Sequence, residues 1–141
     1  MKRTIATAAL FVASLFTTAG IWAQAQGVKA NVPWGFTIND SYVPAGTYTI
    51  SPLPTDHRML EVSNREHKVD ILSMALDGSR TRKDNVLVFH KYGDQYFLTE
   101  IRSTAGSMEL SFPTSKAEKR ARTQTQEAGI PAGSDVVLAL Y

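Results

Sequence analysis

The strongest constraint on the fold comes from residues 85–102, NVLVFHKYGDQYFLTEIR. Two runs rich in valine, isoleucine, phenylalanine and tyrosine flank Gly93 and Asp94. A two-residue turn between antiparallel strands needs positive φ, which glycine adopts at little cost, so this segment predicts a β-hairpin. A turn at these two residues places His90 opposite Phe97 on the neighbouring strand.

The same turn fixes a register along the whole hairpin. Counting outward from it, Val88 pairs with Thr99 and Leu87 pairs with Glu100. His90 and Glu100 then point to opposite faces of the hairpin, because successive side chains of a strand alternate. Both faces mix apolar with ionisable side chains, so we expect a sheet that closes on itself or is covered by another element.

Alternation of apolar and polar residues predicts further strands on both sides of the hairpin. Every second residue is apolar in residues 28–38 and again in 107–112, which indicates strands with one buried face. Pro44 and Gly46 form one of several turn signals between such stretches. The sequence therefore predicts a mainly β fold, an antiparallel meander of about eight strands that forms a small barrel or a sandwich.

One helix is predicted before the last strand, at about residues 115–127. Ser115 and Glu118 match a capping box, in which each side chain accepts a hydrogen bond from the other residue's backbone amide. The apolar face of this helix is thin, since it contains little besides Ala117 and Ala121. We expect a surface helix that leans on the sheet through these alanines.

The first 25 residues match a secretory signal peptide. A basic start with Lys2 and Arg3 precedes the apolar residues 5–22, and the small-x-small sequence AQA ends at Ala25. Cleavage there would leave residues 26–141 as a single β domain in the periplasm or the extracellular medium. The predicted strands are shorter than the ~9–11 residues that a transmembrane strand needs, so the cleaved chain is not expected to be an integral membrane protein.

Composition excludes several classes of function. Without Lys2 and Arg3, 13 of the 15 basic residues remain and equal the 13 acidic residues, so a nucleic-acid partner has no support from net charge. The chain has no cysteine, which excludes disulfides and zinc sites of the cysteine type. Hydrophobic residues make up 43% of the chain, enough for a core that stabilises the fold by packing alone. No cofactor is expected.

A carrier of a small hydrophobic ligand is one alternative to a purely structural β domain. A barrel of about eight strands has just enough interior for side chains or for one small ligand. Its candidate lining residues are Trp34, Phe36, Phe89, His90, Phe97 and Leu98. Packing in the core is the commoner role of such side chains, so an internal cavity would favour the carrier and a filled interior would argue against it.

Catalytic and metal-binding patterns are weak in this sequence. The three histidines, His57, His67 and His90, are not spaced as metal ligands in short motifs. No G-x-S-x-G elbow or phosphate-binding loop occurs. A hydrolase built on His90, with Glu100 or Asp94 as its acidic partner, is a second alternative. The sequence favours a protein that is not an enzyme.

The predicted helix carries a group of basic side chains that could contact anionic lipid headgroups or an acidic partner. These residues are Lys116, Lys119, Arg120 and Arg122. Glu118 interrupts the group, which favours the simpler interpretation of a solvated helix face. A third alternative is assembly through an exposed strand edge, either at Pro33 or in the C-terminal strand.

Four stretches of the chain carry a resemblance to a known group of proteins. They are residues 32–36 (VPWGF), 43–48 (VPAGTY), 88–98 (VFHKYGDQYFL) and the basic helix at 115–122. Together they resemble an uncharacterised family of small exported proteins from environmental Gram-negative bacteria. The resemblance implies export and a one-domain β fold, and it transfers no functional residue. We expect a non-enzymatic exported β domain that acts by binding or as an envelope component.

Overall fold

The computed structural model describes residues 27–78, 84–104, 108–131 and 133–141. The predicted signal peptide, residues 1–25, lies outside the described residues. Within them the chain forms eleven strands and one helix, in the order β1 Val28–Val32, β2 Phe36–Ile38, β3 Ser41–Val43, β4 Gly46–Leu53, β5 Asp56–Asn64, β6 Val69–Met74, β7 Leu76–Asp77, β8 Val86–Tyr92, β9 Gln95–Ser103, β10 Met108–Ser111, α1 Lys116–Glu127 and β11 Ser134–Ala139. The prediction of a mainly β chain with one helix before the last strand is confirmed.

Two details of the predicted strand pattern need correction. The strand count exceeds the expected number of about eight because β2, β3 and β7 are only two or three residues long, too short for alternation to be recognised. The meander is also not purely antiparallel, since Thr37 of β2 pairs in parallel with Phe97 of β9. The other strand pairs are antiparallel, as expected.

The strands form two sheets that curl around a shared core as a half-barrel. One sheet has the order β1-β4-β5-β6, and the other has β11-β8-β9-β10-β7, with β2 and β3 beside β9. The sheets are joined at two places. At the first, only the buried Ala75 separates β6 from β7. At the second, Lys29 and Tyr141 exchange backbone hydrogen bonds of 3.1 and 3.0 Å, which link β1 to the chain end beyond β11.

Apolar side chains from both sheets fill the space between them. The largest fully buried side chains are Tyr48, Phe36 and Phe89, followed by aliphatic residues of β1 to β5, β8 and β9. The Phe36 ring lies edge-on to both other rings, with centroid distances of 5.4 Å to Tyr48 and 5.3 Å to Phe89. Buried residues alternate with more exposed ones along β1, β2 and β10, as residues 28–38 and 107–112 predicted, whereas β8 and β9 each bury three consecutive residues.

The central hairpin has the predicted turn and half of the predicted register. Gly93 has a φ of 60°, as the two-residue turn requires, and the pairs from Tyr92–Gln95 back to Phe89–Leu98 form as expected. Beyond them the register shifts by one residue, so that Val88 pairs with Glu100 and not with Thr99. Thr99 forms a β-bulge because its hydroxyl bonds to the backbone carbonyl of Val88, which would otherwise take part in the regular pairing of β8 with β9.

The bulge is held by two hydrogen bonds. The Thr99 hydroxyl donates to the Val88 carbonyl at 3.0 Å, and the Thr99 carbonyl accepts from the Phe112 amide at 2.8 Å. A side-chain hydrogen bond to the backbone offers the strand an alternative to regular pairing. The register shift therefore depends on these contacts of Thr99, which cannot be predicted by counting residue pairs outward from the turn.

The helix begins where the capping signal placed it. Ser115 is the N-cap, and its Oγ accepts from the Glu118 amide at 3.1 Å. The predicted hydrogen bond from the Ser115 amide to the Glu118 carboxylate is wrong, because this carboxylate points towards the sheet and contacts His90 and Tyr92. In addition, Asp40 accepts a hydrogen bond of 3.1 Å from the Ala117 amide. Among the described residues, no helix combines the length and the apolar character needed to cross a membrane.

Candidate functional site

His90 lies on β8 between a carboxylate of the helix and a carboxylate of the last strand. Its Nδ1 is 2.8 Å from Glu118 Oε1, and its Nε2 is 3.2 Å from Asp135 Oδ1. The pairing of β11 with β8 places Asp135 directly opposite His90. These partners differ from Glu100 and Asp94, the ones that the sequence suggested. Glu100 instead accepts a hydrogen bond from a guanidinium group, that of Arg102, which is two residues along the same strand.

The Glu118 carboxylate is the most buried group of this cluster. Its side chain is only 5% exposed, yet it receives hydrogen bonds from two sides. Besides His90, the Tyr92 hydroxyl donates to Glu118 Oε1 at 3.3 Å. Burial, and after it the Glu118 carboxylate, raises the pKa of Tyr92 above its ordinary value of 10.0. A buried carboxylate without such donors would destabilise the fold, so His90 and Tyr92 are what allows Glu118 to face inward.

We call the cluster of His90, Tyr92, Glu118 and Asp135 the clasp, because its contacts hold α1 and β11 against β8. A carboxylate only accepts hydrogen bonds, and one carboxylate oxygen lies within 3.2 Å of each nitrogen of the His90 ring. A general base needs a free nitrogen that reaches the substrate, and here a carboxylate occupies each one. Among the residues that the structure describes, no group of three histidine or carboxylate side chains is arranged to hold a metal ion. The clasp joins α1 and β11 to β8.

A surface cavity of about 170 Å³ lies next to the clasp. Its walls come from the end of β8, the second half of α1 and the residue that precedes β11: Tyr92, Arg122, Thr125, Gln126 and Gly133. Thr125 is buried, and its hydroxyl donates to the Ala121 carbonyl at 2.8 Å. The Arg122 guanidinium forms no salt bridge with any carboxylate of the described residues.

The residues proposed to line a ligand-binding barrel pack on one another. Trp34 stacks on Tyr96 at a centroid distance of 4.6 Å and meets the Phe89 ring edge-on at 5.7 Å. Phe36 and Leu98 belong to the same buried core. Side chains thus fill the space around Phe89 that a hydrophobic ligand would need.

Two of the candidate lining residues lie elsewhere, on the face of the hairpin that the helix covers. His90 belongs to the clasp, and Phe97 is buried outside the main core, with its ring 6.0 Å from Tyr92. His90 and Phe97 pair directly across the hairpin and so share this face. The six residues therefore lie on opposite sides of the hairpin, with Trp34 and Phe36 packed on the side of Phe89, and they do not surround a common space.

The four basic residues of the helix are all exposed. The sequence suggested that Glu118 would interrupt them, and this expectation is wrong. Glu118 shares the buried face of the helix with Ala121 and Thr125. A helix turns by about 100° per residue, so positions three, four and seven apart fall on one side. Lys116, Lys119 and Arg120 therefore lie opposite the buried face, whereas Arg122, four residues after Glu118, lies beside that face. The face of the helix that contacts the sheet was predicted to consist of alanines, but it also contains two buried polar residues, Glu118 and Thr125.

Comparisons with family models, with curated proteins and with solved structures returned no match for this chain. The site described here therefore rests on the geometry of the chain itself. Sequence reasoning found His90 and the helix cations but missed Tyr92 and Asp135. Tyr92 lies on the hairpin, where its sequence context is that of an ordinary strand residue. Asp135 reaches His90 only through the pairing of β11 with β8, and no local sequence pattern predicts that pairing.

Alkaline titration tests the burial of two tyrosines. Burial raises the pKa of Tyr48 as well as that of Tyr92. Because the folded state favours their neutral forms, this contribution to stability is complete below the unfolded pKa of about 10 and is lost as pH rises through the higher folded pKa values. We expect absorbance at the phenolate band to show that Tyr48 and Tyr92 ionise above the ordinary tyrosine pKa of 10.0.

The matched variant for this titration is Tyr92→Phe, which should remove one late-ionising group and leave Tyr48 in place. Urea unfolding between neutral and alkaline pH should show a smaller pH-dependent loss for this variant than for the parent protein. Tyrosines that all ionise together near the ordinary pKa, in the folded protein, would contradict the burial of both groups.

Proposed function

We propose that this chain is an exported, non-enzymatic β domain that binds anionic surfaces of the cell envelope through the outer face of α1. The sequence pattern of residues 1–25 supports export. The contacts of both His90 ring nitrogens support a role without catalysis. The exposed cations of α1 provide a surface through which the domain acts.

The inward turn of Glu118 is the observation that carries this proposal. It leaves Lys116, Lys119 and Arg120 within about 100° of arc, opposite the face that contacts the sheet. No acidic side chain of the first two helical turns remains at the surface to offset them, since Glu118 is the acidic residue of that part and is buried. A basic side chain close to an anionic membrane contributes about 1 kcal/mol to binding, so these three give weak attachment that salt screens.

Co-sedimentation with phospholipid vesicles tests the proposal. The purified exported protein should bind vesicles that contain anionic lipid at about 0.05 M salt and dissociate at about 0.5 M salt. The triple variant K116E/K119E/R120E should bind at least tenfold less, because it replaces three attractive charges with three repulsive ones.

The control variant K29E/R65E/K68E changes net charge by the same amount at exposed positions of the sheets and their turns. It should retain most of the binding, because these residues lie outside α1. Equal losses in both triple variants would show that only net charge matters. Absence of vesicle binding by the parent protein at low salt would refute the proposal itself.

A further inference from the structure

The cavity beside Arg122 is a separate feature from the outer face of the helix. We infer that it binds a small organic oxyanion, whose phosphate or carboxylate group pairs with the Arg122 guanidinium. This site is not needed for the attachment proposed above, and the two can be tested independently.

Arg122 supplies the charge that recognises the ligand. Its guanidinium borders the cavity and has no carboxylate partner among the described residues, so its donors remain available. A guanidinium presents two parallel N–H groups that match the two oxygens of a carboxylate or a phosphate. Gln126 follows one helical turn later on the same wall and adds an amide donor.

The opposite wall is suited to the carbon skeleton of such a ligand. The Tyr92 ring borders the cavity, while its hydroxyl is held by Glu118, so the ring has a fixed position. Gly133 approaches this ring very closely, because a Cβ atom there would lie 2.6 Å from Tyr92 Cε1 and 2.9 Å from the Lys91 carbonyl oxygen. The backbone at Gly133 therefore forms this wall only without a side chain.

The cavity is larger than a bare ion needs, so it can also accommodate the carbon atoms of an organic ligand. Its volume of about 170 Å³ corresponds to the space of about five or six liquid waters at ~30 Å³ each. Inorganic phosphate would leave part of this space to solvent. A phosphate ester of a three-carbon alcohol, or a short dicarboxylate, places its charge at Arg122 and its carbons along Tyr92.

Two carboxylates near the cavity repel an anionic ligand electrostatically, so removing one of these charges should increase its affinity. Glu118 and Asp135 both act on Tyr92 electrostatically, as does Arg122. Each of these carboxylates lies against one nitrogen of the His90 ring, at 2.8 Å for Glu118 and 3.2 Å for Asp135. Glu118→Gln keeps an oxygen that accepts from His90 and Tyr92 but removes the charge. We therefore expect this variant to bind the oxyanion more tightly than the parent protein does.

Titration of the full exported protein with glycerol 3-phosphate, succinate and inorganic phosphate, followed by NMR shifts of backbone amides, tests the inference. The amides of Thr125, Gln126 and Gly133 should shift in a saturable manner at concentrations up to about 20 mM. The two organic anions should bind more tightly than inorganic phosphate. Arg122→Gln should weaken binding at least tenfold, and Arg122→Lys should weaken it less because the charge remains.

Lys119→Gln is the matched control, since it removes one charge from the same helix outside the cavity. It should change the affinity for these small anions by less than twofold. Equal weakening by Lys119→Gln and Arg122→Gln, or shifts spread evenly over α1, would overturn the inference. Absence of saturable shifts in the parent protein would overturn it as well.

The two proposals fail in different ways. Loss of vesicle binding in K116E/K119E/R120E with intact binding of glycerol 3-phosphate supports both sites as separate. Vesicle binding without saturable binding of small anions would support attachment through the outer face of α1 and would refute oxyanion binding in the cavity. The reverse result rejects the attachment face and retains the cavity. A phosphate that binds only as part of a lipid would appear as vesicle binding that Arg122→Gln weakens more than Lys119→Gln does.

Discussion

Replacing Phe89 with alanine is expected to lower the free energy of unfolding by about 3–5 kcal/mol, the largest effect that we predict for a single substitution. The Phe89 side chain is fully buried, and its ring contacts the edges or faces of Trp34 and Phe36 at centroid distances of 5.7 and 5.3 Å. Alanine would remove these contacts and leave a cavity that the two sheets cannot close. Equilibrium unfolding in urea measures the change.

Leu72→Ala is the control for this measurement. Leu72 is 60% exposed on β6, so its truncation should cost less than about 1 kcal/mol. A comparably small cost for Phe89→Ala would contradict a packed interior and would revive the carrier hypothesis, in which Phe89 lines space for a ligand. The expected difference between the two variants follows from burial alone, because both lose a large apolar side chain from a strand.

Replacing Glu118 with alanine is expected to cost about 2–3 kcal/mol, the second largest effect. Alanine leaves His90 and Tyr92 without the carboxylate oxygen that both now contact at 2.8 and 3.3 Å. It also opens a gap under the helix, where the Glu118 side chain is 5% exposed. Urea unfolding measures the total cost, and amide hydrogen exchange should show that protection of α1 falls most.

Two further variants separate the hydrogen bonds of Glu118 from its charge and from the other carboxylate of the clasp. Glu118→Gln keeps an acceptor oxygen in place, so it should cost only about 1 kcal/mol. Asp135→Ala should also cost less than about 1 kcal/mol, because Asp135 is 66% exposed and solvent screens its contact with His90. Equal costs for Glu118→Ala and Asp135→Ala would contradict the central role given to the buried carboxylate.

The clasp also connects the packing of this protein to its proposed surface chemistry. Glu118 is positioned by His90 and Tyr92, and its inward orientation removes the one acidic side chain of the first two helical turns from the outer helix face. The same Tyr92 hydroxyl holds the ring that walls the cavity beside Arg122. A variant that breaks the clasp should therefore disturb both proposed surfaces, whereas the charge variants described above should disturb only one of them.

Local features of this chain were predictable because they depend on neighbours in sequence. Gly93 permits the positive φ of the hairpin turn, and the first pairs beyond the turn follow from it. Ser115 marks the start of the helix because its side chain reaches an amide only three residues away. Alternation along β1 and β10 revealed their buried faces because a strand repeats every two residues.

Features that depend on distant parts of the chain were decided only by the tertiary structure. Glu118 satisfies the local pattern of a capping box, yet its carboxylate bonds to His90, 28 residues away, since the sheet offers a stronger set of donors than one backbone amide does. The bulge at Thr99 and the pairing of Asp135 with His90 likewise arise where separate strands meet. The sequence alone determined the turns, the strand faces and the helix start, whereas packing between elements determined the register, the clasp and the cavity.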